Sequence, residues 1–278
     1  MYSVELMCKV LDLNRSTYYK ALNHKPAKTQ VSNNELDSKI LKVYYDSKRR
    51  YGAPKIFKTL QNEGETASLK RIQRRMTVLG IKSVVVRKYK PVKAEKNIEQ
   101  KENILNQDFS TTSINQKWCT DITYIHTEKE GWTYLASVED LYSRKIIGWA
   151  FGKTIDTNLA VKALKNAALN VKHTEGIIIQ SDLGCQYTSN LFESALAELK
   201  IRHSYSKKGY PYDNSCIESF HSVLKKEEVN LRKYKDSKAA YDAVFEYIES
   251  WYNRKRIHSS LNYRTPEAVH SECEKLAA

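Results

Sequence analysis

Four stretches between Trp118 and Gln180 leave this chain few folds to choose from. Trp118, Thr120, Ile122 and Tyr124 alternate with Cys119, Asp121, Thr123 and Ile125, the period of two expected of a strand with two different faces. Glu128-Lys129-Glu130-Gly131 turns the chain into a second run, 132–138, and a third, 145–151, holds Ile146, Ile147, Trp149 and Phe151. Short connections make these an antiparallel meander. A helix is expected over 157–171, with Leu159, Val161, Ala163, Leu164 and Ala168 mostly on one side. Gly176-Ile177-Ile178-Ile179-Gln180 is then apolar without a break, which suits a strand covered on both faces. A helix over 189–199, a short segment at 201–205, a Gly/Pro loop at 208–214 and a helix from 214 to 229 follow. The pattern predicts an α/β fold, a mixed sheet sandwiched by helices.

Three acids stand out against this pattern. Asp121 lies inside the first strand, Asp182 sits at the tip of the apolar strand, and Glu218 lies in a helix among Cys216, Ile217, Phe220, Val223 and Leu224. Strand tips of this kind are where sites form in sheets with parallel strands. Singly, each acid reads equally as a surface or capping carboxylate. Jointly, converging carboxylates repel one another, and a divalent cation resolves the repulsion. Oxygen ligands of this hardness favour Mg²⁺ or Mn²⁺ over zinc. Lys225 follows Glu218 by two helical turns, about 10 Å along the same side, so one can hold metal while the other grips a phosphate. His221 and Ser222 share much of that face. Lys225 also reads as a plain solvated helix residue.

The charge is unevenly placed. The chain of 278 residues carries a net charge of +14. Residues 1–107 hold 23 Lys+Arg against 10 Asp+Glu, whereas the remainder holds 23 against 22. A basic front joined to a near-neutral back suits a polyanionic partner held by the front. That front reads as helical: 4–10, a turn, then a second helix opening at Arg15 with Asn14 or Ser16 as its cap. The outline fits a helix-turn-helix and, equally, a plain helical hairpin. After a polar break at 25–30, helices are expected over 34–47, 55–62 and 68–79, the second ended by Gly64 and the third by Gly80. Lys55 lies on the second, and Lys70, Arg71, Arg74 and Arg75 lie along the third. This copy is the better helix-turn-helix, and those five residues are the candidate DNA contacts. Expected domains are a helical DNA-binding region over 1–81, a basic linker over 82–107 with a β-edge at 83–87, and a catalytic core with C-terminal helices over 108–278.

Other classes are disfavoured. No stretch approaches the roughly 20 apolar residues of a membrane span. Glu5, Lys9 and Asp12 interrupt any apolar core of a secretory signal, so a cytoplasmic protein is expected. Five cysteines without a CxxC pair, and scattered histidines, argue against a disulfide framework and a structural zinc site.

At this point the residues match a family. Trp118-x-Thr120-Asp121-Ile122-Thr123-Tyr124, Ser181-Asp182-x-Gly184-x-Gln186-Tyr187-Thr188-Ser189 and Gly209-x-Pro211-x-Asp213-Asn214-x-x-x-Glu218-Ser219-Phe220 resemble the integrase core of bacterial insertion-sequence transposases. Thirty-five residues separate the second and third acids and 60 the first two, and the former is that family's DD(35)E spacing. The ending Trp251-Tyr252-Asn253-x-x-Arg256-x-His258-x-Ser260-Leu261-x-x-x-Thr265-Pro266 is similar too, as are Arg15-Ser16-Thr17-Tyr18-Tyr19 and Tyr51-Gly52-Ala53-Pro54-Lys55-Ile56 in front. The closest resemblance is to second-frame proteins of the insertion-sequence-three family, relatives of retroviral integrases. It implies a ribonuclease-H-like core behind an all-α helix-turn-helix region, and a Mg²⁺-dependent transposase acting on double-stranded DNA, both at the element's terminal inverted repeats and at the target. Asp121, Asp182 and Glu218 would hold two Mg²⁺ ions, with Mn²⁺ as a substitute, and Lys225 matches the family's basic residue seven positions after its glutamate. The resemblance further implies self-association on DNA, a location on the nucleoid, and a first-frame protein fused in front by frameshifting. Asn253, Arg256 and His258 fall near the site or the DNA by the same analogy, with structural packing an equal reading. Against these stand a catalytically silent DNA-binding regulator and a ribonuclease-H-like nuclease.

Overall fold

The computed structural model describes residues 3–23, 27–85, 102–207 and 210–276, with Lys28 and Pro211 described in their backbone alone. Its contacts separate two units, Met1–Val84 and Val85–Ala278. Among the described residues, no helix is long and apolar enough to cross a membrane.

The first unit is helical: α1 (Val4–Val10), α2 (Arg15–Leu22), α3 (Lys28–Asp46), α4 (Ala53–Asn62) and α5 (Leu69–Val78). Ser3 and Ser68 cap α1 and α5 by accepting N–H bonds from Leu6 and Arg71. Asn14 occupies the cap position of α2 without a side-chain bond. The expected polar break at 25–30 gives way to helix at Lys28, so α3 begins well before residue 34. Residues 28–33 contain no Gly or Pro, and nothing in them stops a helix that the apolar stripe further on has nucleated. Pro54 falls in the first turn of α4, where its missing N–H costs nothing, and Gly64 takes a φ of +89° just beyond the helix end. Leu36, Ile40, Val43 and Tyr44 of α3 are buried, as are Ile56 and Leu60 of α4 and Ile72 and Met76 of α5. Of the expected β-edge, residues 83–85 form no strand: Ser83 Oγ and Val84 N–H instead bond the carbonyls of Arg50 and Arg49. Residues 86–87 of that edge, with 88–101 of the expected linker, lie outside the described residues.

The second unit is built on β1 (Lys117–Thr127), β2 (Gly131–Asp140), β3 (Ile146–Gly152), β4 (Ile178–Ser181) and β5 (Arg202–Tyr205), in the order β3-β2-β1-β4-β5. The meander β1-β2-β3 is antiparallel, and β4 pairs parallel with both β1 and β5. The helices are α6 (Thr157–Ala168), α7 (Asn190–Glu198), α8 (Ser215–Glu227), α9 (Ser237–Phe245) and α10 (Pro266–Leu276). A π-helical stretch, Glu246–Tyr252, continues α9.

Trp118, Ala136, Val138 and Ala150 of the sheet pack with Leu159, Ala160, Ala163, Leu164 and Ala167 of α6 and Phe192 of α7 in one buried cluster. The approach is closest at Gly148, where a Cβ would stand 2.3 Å from the Ala167 nitrogen. Alternation turns the intervening residues of β1 and β2 to the other face, where α8 and α9 pack. Both sheet edges are covered. On β3, Asn253 accepts from Ile146 N–H and donates to Ile146 O, both at 3.0 Å, while the Asn170 and Asn166 amides donate to Ile147 O and Trp149 O. On β5, Tyr205 N–H donates to Glu102 O, and Ser204 Oγ accepts from Leu105 N–H. Residues 102–107 thus pack on the second unit, with Leu105 buried.

Candidate active site

Strand register brings the first two acids together. Trp118 lies opposite Ile179, and Cys119 opposite Gln180, in the parallel β1–β4 pair. Continued by two residues, the register sets Asp182, just past the carboxyl end of β4, beside Asp121 in the middle of β1. Asp121 Oδ1 accepts the Ile122 N–H at 2.8 Å, and Asp182 Oδ1 accepts the Gly184 N–H at 2.9 Å. Glu218 stands in the first turn of α8 with its side chain exposed, on a helix anchored by buried Ile217, Phe220 and Leu224.

The electrostatics tie the three acids to one place. Partial burial holds the Asp182 carboxyl above the ordinary range, and the Asp121 charge pushes it further. Glu218 is raised in the same way, by burial, then by Asp121, with Asp182 adding and His221 opposing. Carboxylates that resist ionising through burial and, beyond it, through one another's charge fit hard-cation chemistry: the cation removes the repulsion, and the donors are oxygens. Among the described residues, no group of three or more His, Cys, Asp or Glu side chains is gathered closely enough to hold a metal ion. The acids therefore share one field without a closed cage.

His221, one helical turn after Glu218, is the residue to which the sequence reading gave no part. Its Nδ1 lies 3.3 Å from Asp121 Oδ2, and its Nε2 lies 2.7 Å from Ser137 Oγ on β2. Asp121 and Ser137 are themselves cross-strand partners. The ring is buried and fixes Asp121 from behind. The face shared with Glu218 was the only signal, and it does not show which strand the helix lies on. Lys225 places its Nζ 4.2 Å from the centroid of the Tyr124 ring. Burial lowers its pKa while the Asp121 charge works the other way, so the lysine lies in the field of the same acids.

Neighbouring motif residues are structural. Asp213 accepts from Asn103 Nδ2, Gln107 Nε2 and Lys207 N–H, and Asn214 Nδ2 donates to Thr120 O. Behind Asp182, Ser181 Oγ bonds His203, whose other ring nitrogen meets Glu193. Gly209 of the motif lies outside the described residues. The closing motif makes packing contacts. Asn253 is buried on β3, and Arg256 bonds Glu227 at the end of α8 through Nε and Nη2 at 3.0–3.1 Å. His258 meets Arg256 Nη1 at 2.9 Å.

In the first unit the basic residues divide. Arg75 forms a two-pronged bond with Asp37, and Arg71 donates to Ser32 Oγ and Asn33 Oδ1. Both join α5 to α3. Lys70 and Arg74 are exposed, and Lys55 lies over the Tyr51 ring at 5.0 Å.

Comparison with known proteins gives these features a family. Two models described as an integrase core domain match residues 112–211 and 199–266, and one described as an HTH-like domain matches 32–89. The last spans the later of the two candidate helix-turn-helix copies. The mixed sheet flanked by helices is thus the ribonuclease-H-like integrase core. The transposase for insertion sequence element IS904 of Lactococcus lactis is 37% identical over 247 residues, 88% of this chain and 97% of that one. Transposase InsF for insertion sequence IS3A of Escherichia coli is 36% identical over 272 residues, 96% and 93% of the two chains. Among solved structures, a chain of the simian T-cell lymphotropic virus intasome in complex with PP2A regulatory subunit B56 gamma covers 83% of this chain and 74% of its own length, at 17% identity and a TM-score of 0.45. The HTLV-2 integrase catalytic core in complex with magnesium covers 56% of this chain and 96% of its own length, at 18% identity and a TM-score of 0.42. With more than a third of its residues shared over nearly its whole length, the chain belongs to the insertion-sequence transposases that carry an integrase core.

Proposed function

We propose that this chain cuts the ends of a bacterial insertion sequence and joins the resulting 3′ ends to new DNA, with Asp121, Asp182 and Glu218 as its catalytic carboxylates. The observation that carries this reading is the β1–β4 register, which extended by two residues sets Asp182 beside Asp121, together with the shared field that reaches Glu218. The three carboxylates would hold two Mg²⁺ ions, for which Mn²⁺ substitutes. Bound there, they would supply Lewis-acid activation of the attacking water or 3′-hydroxyl and charge stabilisation for the leaving oxygen of an in-line displacement. The protein's own share is positional. His221 and the Ile122 N–H orient Asp121, the Gly184 N–H orients Asp182, and Lys225 supplies a cation for a phosphate of the bound strand.

Residues 1–81 serve as the DNA-binding region, 82–107 as the link and 108–278 as the catalytic part. Of the helix-turn-helix residues, Lys70, Arg74 and Lys55 are the DNA contacts that the fold favours, since Arg71 and Arg75 are engaged with α3. The duplex partners are the terminal inverted repeats and the target, on the nucleoid in the cytoplasm. Copies pair on DNA, and a first-frame protein fused in front supplies further end recognition.

The test is a strand-transfer assay on a labelled duplex bearing the element's own terminal repeat, with wild type beside Glu218→Gln. Products that require Mg²⁺ and vanish in the variant support the proposal. Cleavage without joining points to a nuclease. DNA binding without either reaction, persisting after fusion of the first-frame portion, points to a silent regulator.

A further inference from the structure

A cleft of about 460 Å³ opens between the tip of the β1–β2 hairpin and the chain that follows α8, with Lys225 in its lining. Its backbone frame is fixed: Thr127 bridges Tyr234, and Glu128 N–H and Lys129 N–H donate to the carbonyls of Tyr234 and Lys235. On the hairpin side stand three rings. Tyr124 and Trp132 meet edge to face at 5.4 Å, and His126, the cross-strand partner of Trp132, meets it at 5.1 Å. On the other side stand Lys225, Arg232 and Lys233. Glu128 also lines the cleft, and Arg232 is paired with Glu228 at 3.0 Å, so Lys225 and Lys233 carry most of its positive character.

The exposure of the rings is the unexplained observation. Trp132 is 54% exposed and Tyr124 53%, although both belong to a sheet whose other aromatic residues are largely covered. Such rings are worth keeping in water where something planar stacks on them. The cations fix the charge of that partner as negative, and Lys225 joins the two halves of the cleft, since its ammonium rests over Tyr124 while feeling the Asp121 charge. A planar group joined to an anion, held by the lysine that feels the Asp121 charge, describes a nucleotide. A base inside a duplex has both faces covered by its neighbours, so the occupant is a base out of its stack.

We infer that this cleft holds an unpaired nucleotide at the DNA end, its base on Trp132 and Tyr124 and its phosphates on Lys225 and Lys233. The inference rests on the proposed transposase reading and deepens it: the substrate of the site is a splayed end, and the strand that passes the acids leaves through the cleft.

The test is binding by the full chain, without divalent cation, of two terminal-repeat duplexes of the same sequence, one fully paired and one with its last three nucleotides mismatched. Wild type should bind the splayed end about tenfold more tightly, from the known worth of base–aromatic stacking, with quenching of tryptophan emission. Trp132→Ala should abolish that preference, and Trp132→Phe should retain part of it. The Phe variant keeps a ring in the hairpin, so it remains informative if the Ala variant folds poorly. Equal binding of the two duplexes by wild type, or a full preference in both variants, would overturn the inference. The two readings fail separately. Strand transfer without a splayed-end preference removes the cleft and keeps the transposase, and a preference without strand transfer does the reverse.

Discussion

Replacing Arg256 with methionine should destabilise the second unit more than any surface change. The Arg256 and Glu227 side chains are 9% and 6% exposed, and the carboxylate also accepts from Tyr247 Oη at 3.0 Å and Trp251 Nε1 at 3.2 Å. Burial is the largest influence and works against the arginine's charge, but Glu227, Tyr247 and Tyr252 together outweigh it, so the guanidinium is held more firmly protonated than usual. Arg256→Met leaves Glu227 charged and buried with only neutral donors, a situation that costs about 3–5 kcal/mol. Adding Glu227→Gln removes the stranded charge while leaving an oxygen for the tyrosine and tryptophan, and should recover about 2 kcal/mol of that loss. All four tryptophans, Trp118, Trp132, Trp149 and Trp251, lie in the second unit, so their emission during urea unfolding follows that unit alone. Arg256→Met should also weaken catalysis, because Glu227 closes the helix that carries Glu218. A loss below about 1 kcal/mol, or no recovery in the double variant, would refute the assignment of Arg256 to packing.

Three further outcomes follow from the same structure. Gly148→Ala drives a methyl into the α6 backbone at Ala167 and should cost about 1–3 kcal/mol by urea unfolding; an unchanged midpoint would mean that α6 shifts freely. Cys216 has its thiol pulled down to about 6 by the bond from Cys119, with Arg144 assisting and burial opposing. The thiolate forms as pH rises through that value, so alkylation of Cys216, followed by mass spectrometry, should be flat above about pH 7 and fall about tenfold by about pH 5. A rate still climbing past about pH 8 would contradict it. In the first unit, Arg75→Ala should lower thermal stability because Asp37 loses its partner, whereas Arg74→Ala should leave stability unchanged and weaken DNA binding, read by melting and by salt-dependent affinity side by side.

β1 was legible because it has two unlike faces, β2 and β3 because short turns join their runs to it, and β4 announced its central place by being apolar without a break. Asp121 was visible as an acid where alternation wanted a core residue. What the pattern could not hold was anything set by pairing across distance. The offset that puts Asp182 beside Asp121 depends on a parallel register between segments about 60 residues apart, and His221 gains its meaning from Ser137 on another strand. Arg71 and Arg75 looked interchangeable with Lys70 and Arg74, since a helix periodicity shows the stripe and not the neighbour that claims each residue. Residues 28–30 belong to the polar break read at 25–30, although their composition permits helix, and α3 begins at Lys28.

The three asparagines along β3 have a consequence for life at high local concentration. Ile146, Ile147 and Trp149 stand on the outermost strand, and side-chain amides already occupy their backbone groups. At the opposite edge, the stretch 102–105 takes groups of β5. An open edge is a template on which strands from other molecules can grow. With these groups of β3 and β5 already engaged, a strand from another molecule finds fewer partners at either edge, which works against a sheet continued from one molecule into the next.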